Sequence, residues 1–157
     1  MAPTLYVLIG IQGSGKSTWA EANADRLKAV VVASDEIRNE LAAAGLDPTD
    51  MGDRVFATLE ERLAEHLAAG RNVIADATHA RRAWRANEVA VARRFGARTV
   101  AIWFDLALAV CQARNARKPG GEHWGDRIIP SAILRDMAER FEPPGRDEFD
   151  VIEIVSA

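Results

Sequence analysis

Along the chain, short unbroken apolar runs alternate with longer stretches in which apolar residues return every three or four positions. Leu5-Tyr6-Val7-Leu8-Ile9 is continuous rather than alternating, the pattern of a strand covered on both faces. Val30-Val31-Val32, Asn72 to Ala75, Thr99 to Phe104 and Phe149 to Val155 predict four further strands. Between them the spacing predicts helices over Lys16 to Lys28, Asp35 to Ala44, Arg81 to Phe95 and Leu106 to about Arg117. The clearest is Asp50 to Ala69, where Val55, Leu59, Leu63 and Leu67 repeat at four-residue steps and make one apolar stripe. Gly45, Gly70 and Gly96 stand where three of these helices stop. A last helix starts near Pro130, with Ile133, Met137 and Phe141 on its buried side. Pro119-Gly120-Gly121 and Pro143-Pro144-Gly145 break the pattern.

Strands alternating with helices predict an α/β fold: a three-layer, parallel, five-stranded sheet with helices on both faces. At 157 residues, without repeat, linker or low-complexity tract, residues 1–157 are expected to form a single domain. No apolar run approaches the ~20 residues needed to cross a bilayer, so no membrane partner is expected. Met1 to Tyr6 lacks the basic start and small-residue cleavage site of a signal peptide. Cys111 is the only cysteine, which leaves neither a disulfide framework nor a cysteine metal site. A cytoplasmic protein with no obligate protein partner is the expectation. The net charge of −3 speaks against nonspecific coating of nucleic acid, though not against a local arginine patch.

One motif carries chemistry on its own. Gly10-Ile11-Gln12-Gly13-Ser14-Gly15-Lys16-Ser17 fits G-x-x-x-x-G-K-[ST] at every fixed place, directly between a predicted strand and a predicted helix. Glycines let the backbone approach phosphate oxygens, successive N–H groups form an anion-binding concavity, and the helix start adds its positive end. Gly10, Gln12, Gly13, Ser14, Gly15, Lys16, Ser17 and Thr18 are therefore the candidate contacts to ATP, with Lys16 reaching the β- and γ-phosphates and Ser17 the ligand of Mg²⁺. The motif narrows the fold to the P-loop nucleoside triphosphate hydrolase type; its letters alone do not separate a kinase from a GTPase or a motor ATPase, and the nucleotide-kinase-like expectation rests on the residues that follow.

Ligands of open α/β sheets bind outside the carboxyl ends of the strands. Ser34-Asp35-Glu36-Ile37-Arg38 follows the second strand, Asp76-Ala77-Thr78-His79 the third and Asp105 the fourth. Asp35 and Arg38 share a helix face; they suit proton removal from a hydroxyl and a grip on an acceptor phosphate, or else helix capping and a solvated pair. Asp76, at the end of an apolar strand, suits either support of a magnesium ion from behind its ligands or orientation of the substrate, with a plain turn aspartate as the alternative, and Thr78 is a candidate acceptor-site residue. Asp105 is expected to cap the next helix. Arg114 and Arg117, before the Pro-Gly-Gly break, suit either a lid over the triphosphate or a basic helix end. Arg81, Arg82 and Arg85 with Trp84 could form an acceptor groove with a stacking platform, but the favoured expectation has Trp84 facing the core and the arginines in solvent; Trp124 could stack on an acceptor. His79 is a possible pocket residue, and His66 and His123 receive no role.

Taken together, these residues resemble the 5′-hydroxyl polynucleotide kinase branch of P-loop phosphotransferases, and the wider group of small AAA-type P-loop kinase-like proteins. The likeness runs through Gly10 to Trp19, Ser34 to Arg38, Asp76-Ala77-Thr78, Cys111 to Arg117, Ile129 to Met137, Phe141 to Pro144 and Phe149-Asp150. It implies Asp35 as general base, Arg38 as holder of the phosphate beside the acceptor hydroxyl, Asp76 as an essential site aspartate, and Arg114 and Arg117 as lid arginines. His79 departs from it, standing where the family often has Asn. The expected reaction moves the γ-phosphate of ATP to a hydroxyl, first of all the 5′-end of RNA or DNA. A small metabolite hydroxyl (a sugar acid, nucleoside or antibiotic) is the second expectation, and a regulatory ATPase with water as acceptor the third.

Overall fold

The computed structural model describes residues 2–47 and 52–156. Five strands, β1 (Thr4–Ile9), β2 (Ala29–Ala33), β3 (Asn72–Asp76), β4 (Arg98–Phe104) and β5 (Val151–Val155), form one sheet in the order β2-β3-β1-β4-β5. Every pairing is parallel. The helices are α1 (Lys16–Leu27), α2 (Ser34–Ala43), α3 (Gly52–Ala68), α4 (Arg82–Arg94), α5 (Leu108–Ala116) and α6 (Ser131–Arg140).

Successive strand residues serve opposite faces of the sheet. Leu5, Val7 and Ile9 of β1 join Val73, Ala75 and Ala101 beneath the Val55-Leu59-Leu63-Leu67 stripe of α3, with Ile37 of α2 and Val89 and Ala92 of α4. Leu8, Ile74, Ile102 and Phe104 face the other way, onto Ala20, Trp19, Ala24 and Leu27 of α1. The unbroken apolar runs thus reflect burial on both sides, as expected of the three-layer α/β fold.

Several local expectations are corrected. The expected start of α3 at Asp50 lies outside the described residues. The fifth helix begins at Leu108 with Ala107 in the cap position, so Asp105 does not cap it; the Asp105 N–H instead donates to the Val155 carbonyl. On α6 the side chain sealed in the core is Leu134, while Ile133 is 48% exposed. Phe149 is buried but precedes β5.

The largest correction concerns α4. Trp84 is 53% exposed and Arg85 is fully buried, the reverse of the expectation. Arg85 can be buried because each arm has an acceptor: Nε and Nη2 bond Glu148 at 2.9 and 3.1 Å, and Nη1 bonds the carbonyls of His79 and Glu142 at 2.9 and 2.8 Å. Burial pushes the Glu148 carboxyl up, but the Arg85 hydrogen bonds and the Gly145 N–H bring it below its ordinary value. This planar, two-pronged pairing ties the Pro143-Pro144-Gly145 turn to the start of α4.

The α3 stripe sets the stability of one whole face. Leu63→Ala is expected to cost ~2–5 kcal/mol, read as a lower urea midpoint with unchanged slope.

Candidate active site

The segment between β1 and α1 is forced into a tight cradle. Gly13 and Gly15 have φ of 84° and 95°, in the left-handed region. A Cβ on Gly13 would lie 2.4 Å from the carbonyl oxygen of Cys111, so α5 packs directly against the loop. Gly15 occupies the cap position of α1, with no side-chain cap and no acidic residue in the first turn, so the helix start keeps its positive end bare. Cys111 is a buried spacer behind the loop; burial pushes its thiol up, against the pull of Lys16 and Arg114.

Lys16 is buried at the base of the cradle, its ammonium donating to the carbonyls of Gly10 at 2.8 Å and Ile11 at 3.0 Å. Two of its three N–H donors are thereby used. Burial pushes the ammonium below its ordinary pKa, and Asp76 and Asp35 act against that. The hydroxyl of Ser17 donates to Oδ2 of Asp76 at 2.8 Å, joining the loop to the end of β3. Gly10 N–H donates to the Thr78 carbonyl at 3.1 Å, a second tie between the same segments.

Two chambers open at this end of the sheet. The first, of about 420 Å³, is lined by Gln12, Gly13, Gly15, Lys16, Ser17 and Thr18, by Asp76 and Thr78, and by Arg114 and Arg117 across from them. Gly10 and Ser14 are not in its wall; the Ser14 hydroxyl is buried beneath the loop. Arg114 Nη1 donates to the Ser14 carbonyl at 3.1 Å, so one of the expected lid arginines already touches the loop. The second chamber, of about 440 Å³, contains Arg38, Arg81, Arg127 and Arg140 beside Phe56, Trp84 and Trp124. Gln12, Ser34, Asp35, Thr78, Lys118 and Gly125 line both. Asp35 thus stands where the chambers meet.

Asp35 does not cap α2: that position is Ala33, and no side chain caps the helix. Its Oδ1 lies 3.5 Å from Nη1 of Arg38. The Arg38 guanidinium sits over Phe56 at 5.9 Å and Trp124 at 5.2 Å, and Arg127 lies over Trp124 at 3.9 Å. Cation–π contact holds these flat cations in place without consuming their hydrogen bonds.

His79, a possible pocket residue by sequence, is almost wholly buried in the lining of the second chamber, with a left-handed φ of 50°. Nδ1 donates to the Leu8 carbonyl at 2.6 Å, and Nε2 lies 2.6 Å from Oε2 of Glu88, an ion-pair contact off the line of a hydrogen bond. Burial pushes His79 down, but the Glu88 carboxylate and the Leu8 carbonyl raise it above its ordinary pKa. His123, given no role, has Asp126 at 3.5 Å. Sequence reasoning did not single out Asn39, Glu88 or Gly125. Lys118, directly after Arg117, lines both chambers. Glu88 carries no spacing signal, and Asn39, though on the Asp35–Arg38 face of α2, has its partner Trp124 far away in sequence.

Among the described residues, no group of three His, Cys, Asp or Glu side chains is arranged to hold a metal ion. No helix among them is long and apolar enough to cross a membrane.

A family model described as an AAA domain matches residues 5–144. No curated protein sequence matches. A gluconokinase from Sinorhizobium meliloti 1021 superposes with a TM-score of 0.68 at 24% identity, over 99% of this chain and 83% of that one. The Mycobacterium tuberculosis APS kinase CysC, solved with AMPPNP and APS, gives 0.66 at 20% identity, over 98% and 88%. A chain of the Pnkp1/Rnl/Hen1 RNA repair complex gives 0.74 at 24% identity, over 88% of this chain and 43% of that one. At these identities the likeness is one of fold.

The His79–Glu88 pair predicts a pH dependence. A histidine raised in the folded state stabilises fully below its unfolded pKa, ~6.5, and loses that contribution as pH rises through the folded value. Urea midpoints of the wild type should therefore fall above that pH. Glu88→Gln should flatten the fall; an identical profile would discount the pair.

Proposed function

The chain belongs to the AAA domain family, and from that premise we propose that it transfers the γ-phosphate of ATP to the hydroxyl of an acceptor bound in the second chamber. The observation that carries the proposal is Asp35 lining both chambers: the one with the phosphate cradle and the one with the arginine–aromatic wall. A group at such a junction can touch both reacting partners.

In the proposed reaction the acceptor oxygen forms a bond to the γ-phosphorus, the bond to the β,γ-bridging oxygen breaks, and ADP leaves. The acceptor proton passes to Asp35. Gln12, Gly13, Gly15 and Thr18 line the triphosphate site with the cradle amides, and Lys16 offers its remaining donor to the β- and γ-oxygens. Gly10 and Ser14 act from beneath, by shaping the loop. Arg114 and Arg117 face the cradle from α5 and would offset charge on the transferring group. Arg38, packed on two rings, is the proposed grip on an acceptor anion. Asp76 orients Ser17, and Thr78 forms part of the wall between the chambers. Ser17 and Asp76 together offer a hydroxyl and a carboxylate oxygen, donors suited to a hard cation such as Mg²⁺. When bound, that ion neutralises charge on the phosphate oxygens.

For the acceptor, the first proposal is the 5′-hydroxyl end of RNA or DNA. The sequence resemblance, four arginines in the second chamber and the exposed Trp84 at its wall support it. A compact anionic alcohol is the second reading, favoured by the way the loop bearing Trp124 is held against α2 by Asn39. Transfer to water is the weakest, because it uses neither Arg38 nor the second chamber. We also propose a single domain and a cytoplasmic location.

The deciding measurement offers γ-labelled ATP and Mg²⁺ with a 5′-hydroxyl oligonucleotide, beside a panel of phosphorylated and carboxylated alcohols. Label in the oligonucleotide supports the first reading, and label in one of the alcohols the second. Label in free phosphate alone rejects transfer to an alcohol. Asp35→Asn should lower turnover ~10²–10⁴-fold while ATP binding holds within about twofold; equal loss of both would remove Asp35 as the base. Lys16→Ala should lose activity and weaken ATP binding, and a fully active variant would refute the site.

A further inference from the structure

The loop between α5 and α6 crosses the mouth of the acceptor chamber and is held at two points by the same device. Asn115, buried on α5, donates from Nδ2 to the Ile129 carbonyl at 2.7 Å and accepts the Ile129 N–H on Oδ1 at 3.0 Å. Asn39, on α2, does the same to Trp124: Oδ1 accepts the Trp124 N–H at 2.8 Å and Nδ2 donates to the Trp124 carbonyl at 3.1 Å. A side-chain amide that bonds both groups of one residue fixes its position and its orientation, as a neighbouring strand would.

Between these points the loop is tied to itself. Gly120 N–H donates to the Asp126 carbonyl at 2.8 Å, Asp126 N–H to the His123 carbonyl at 3.1 Å, and Arg127 Nε to the Glu122 carbonyl at 3.0 Å. These bonds brace the loop as one unit. Its attachments differ: Asn115 is 3% exposed, whereas the Asn39 amide belongs to a half-buried side chain at the protein surface. The buried clasp serves as the pivot and the half-buried one as the catch.

What the catch positions is the wall opposite Asp35. Gly125, next to Trp124, has φ of 94°, and a Cβ there would lie 3.9 Å from Oδ2 of Asp35. The indole of Trp124 carries Arg38 and Arg127. Asp35, Arg38 and Asn39 are consecutive members of one i, i+3, i+4 face of α2. One helix therefore supplies the carboxylate, the cation and the hold on the facing wall.

We infer that Asn39 is a positioning residue: by clasping Trp124 it seats the 119–128 loop over the acceptor chamber, orients Arg127 for the acceptor and keeps water from Asp35. The effect on the acceptor rests on the phosphotransferase reading above; the clasp itself does not. Arg114 and Arg117 flank the Asn115 pivot at the end of α5, outside the 119–128 loop, so releasing the catch leaves the nucleotide side in place.

The test compares wild type, Asn39→Ala and Asn39→Asp by hydrogen exchange and by steady-state kinetics with the labelled-ATP assay. In Asn39→Ala, amides of 120–128 should exchange about tenfold faster while those of 114–117 and the phosphate loop do not change. The acceptor KM should rise about tenfold with the KM for ATP within twofold, and ATP hydrolysis without acceptor should increase. Asn39→Asp keeps the acceptor for Trp124 N–H and loses the donor, so it should fall between the two. Unchanged exchange in 120–128 overturns the clasp, as does an Asn39→Asp protein as loose as Asn39→Ala. Equal changes in both KM values overturn the positioning role and leave a structural tie. A wild type that labels no acceptor defeats the phosphotransferase reading instead, while exchange and hydrolysis still decide the role of Asn39.

Discussion

An ammonium group taken out of water has to be compensated, and Lys16 is compensated from several directions. Two carbonyls of its own loop accept its hydrogens, and the carboxylates of Asp76 and Asp35 lower the cost of its charge. Those partners come from three strand ends. The cradle therefore exists only when β1, β2 and β3 are in register, and it shares its electrostatics with the group proposed to take the acceptor's proton. A triphosphate bound as proposed would meet a site already arranged to favour negative charge, which is the condition for electrostatic preorganisation. The Ser17–Asp76 and Gly10–Thr78 bonds keep the two sides of the mouth in one frame.

Much of this frame was legible in the sequence because it depends on patterns that local physics enforces. A strand covered on both faces must be apolar at every position, which is how β1 and β4 read. A helix on a sheet must repeat its apolar residues every turn, which is how α3 reads. The phosphate loop is legible because few residue types besides glycine tolerate the conformations of Gly13 and Gly15. Gly13 further requires that nothing stand between it and the Cys111 carbonyl. Asp35, Asp76 and Thr78 could be found by position alone, since the carboxyl ends of parallel strands point to one mouth.

The failures have a common cause: a partner distant in sequence. Arg85 looks like a solvent arginine until Glu148 and the carbonyls of His79 and Glu142 are brought round it. Trp84, its neighbour, is turned outward because the helix face is already spent on that cluster. On α6, Leu134 rather than Ile133 enters the core, a shift of one position that a ten-residue helix with few apolar residues leaves undetermined. Asn39 and Asn115 are invisible for the same reason, each being one amide whose meaning lies in a backbone segment elsewhere. Their roles become readable only as pairs.

The strand order has a consequence for how the protein comes to be made. β1 is central, with Leu5 paired to Val73 on one side and to Thr99 on the other. A ribosome adding ~5–20 residues per second leaves that apolar segment without neighbours for several seconds. Long-range parallel pairing of this kind closes slowly. The nascent chain therefore passes through an interval in which its central apolar strand is exposed and its phosphate-loop segment has no floor. Chaperone dependence during translation, and insensitivity of the half-made chain to nucleotide, would both follow from the placement of a single strand.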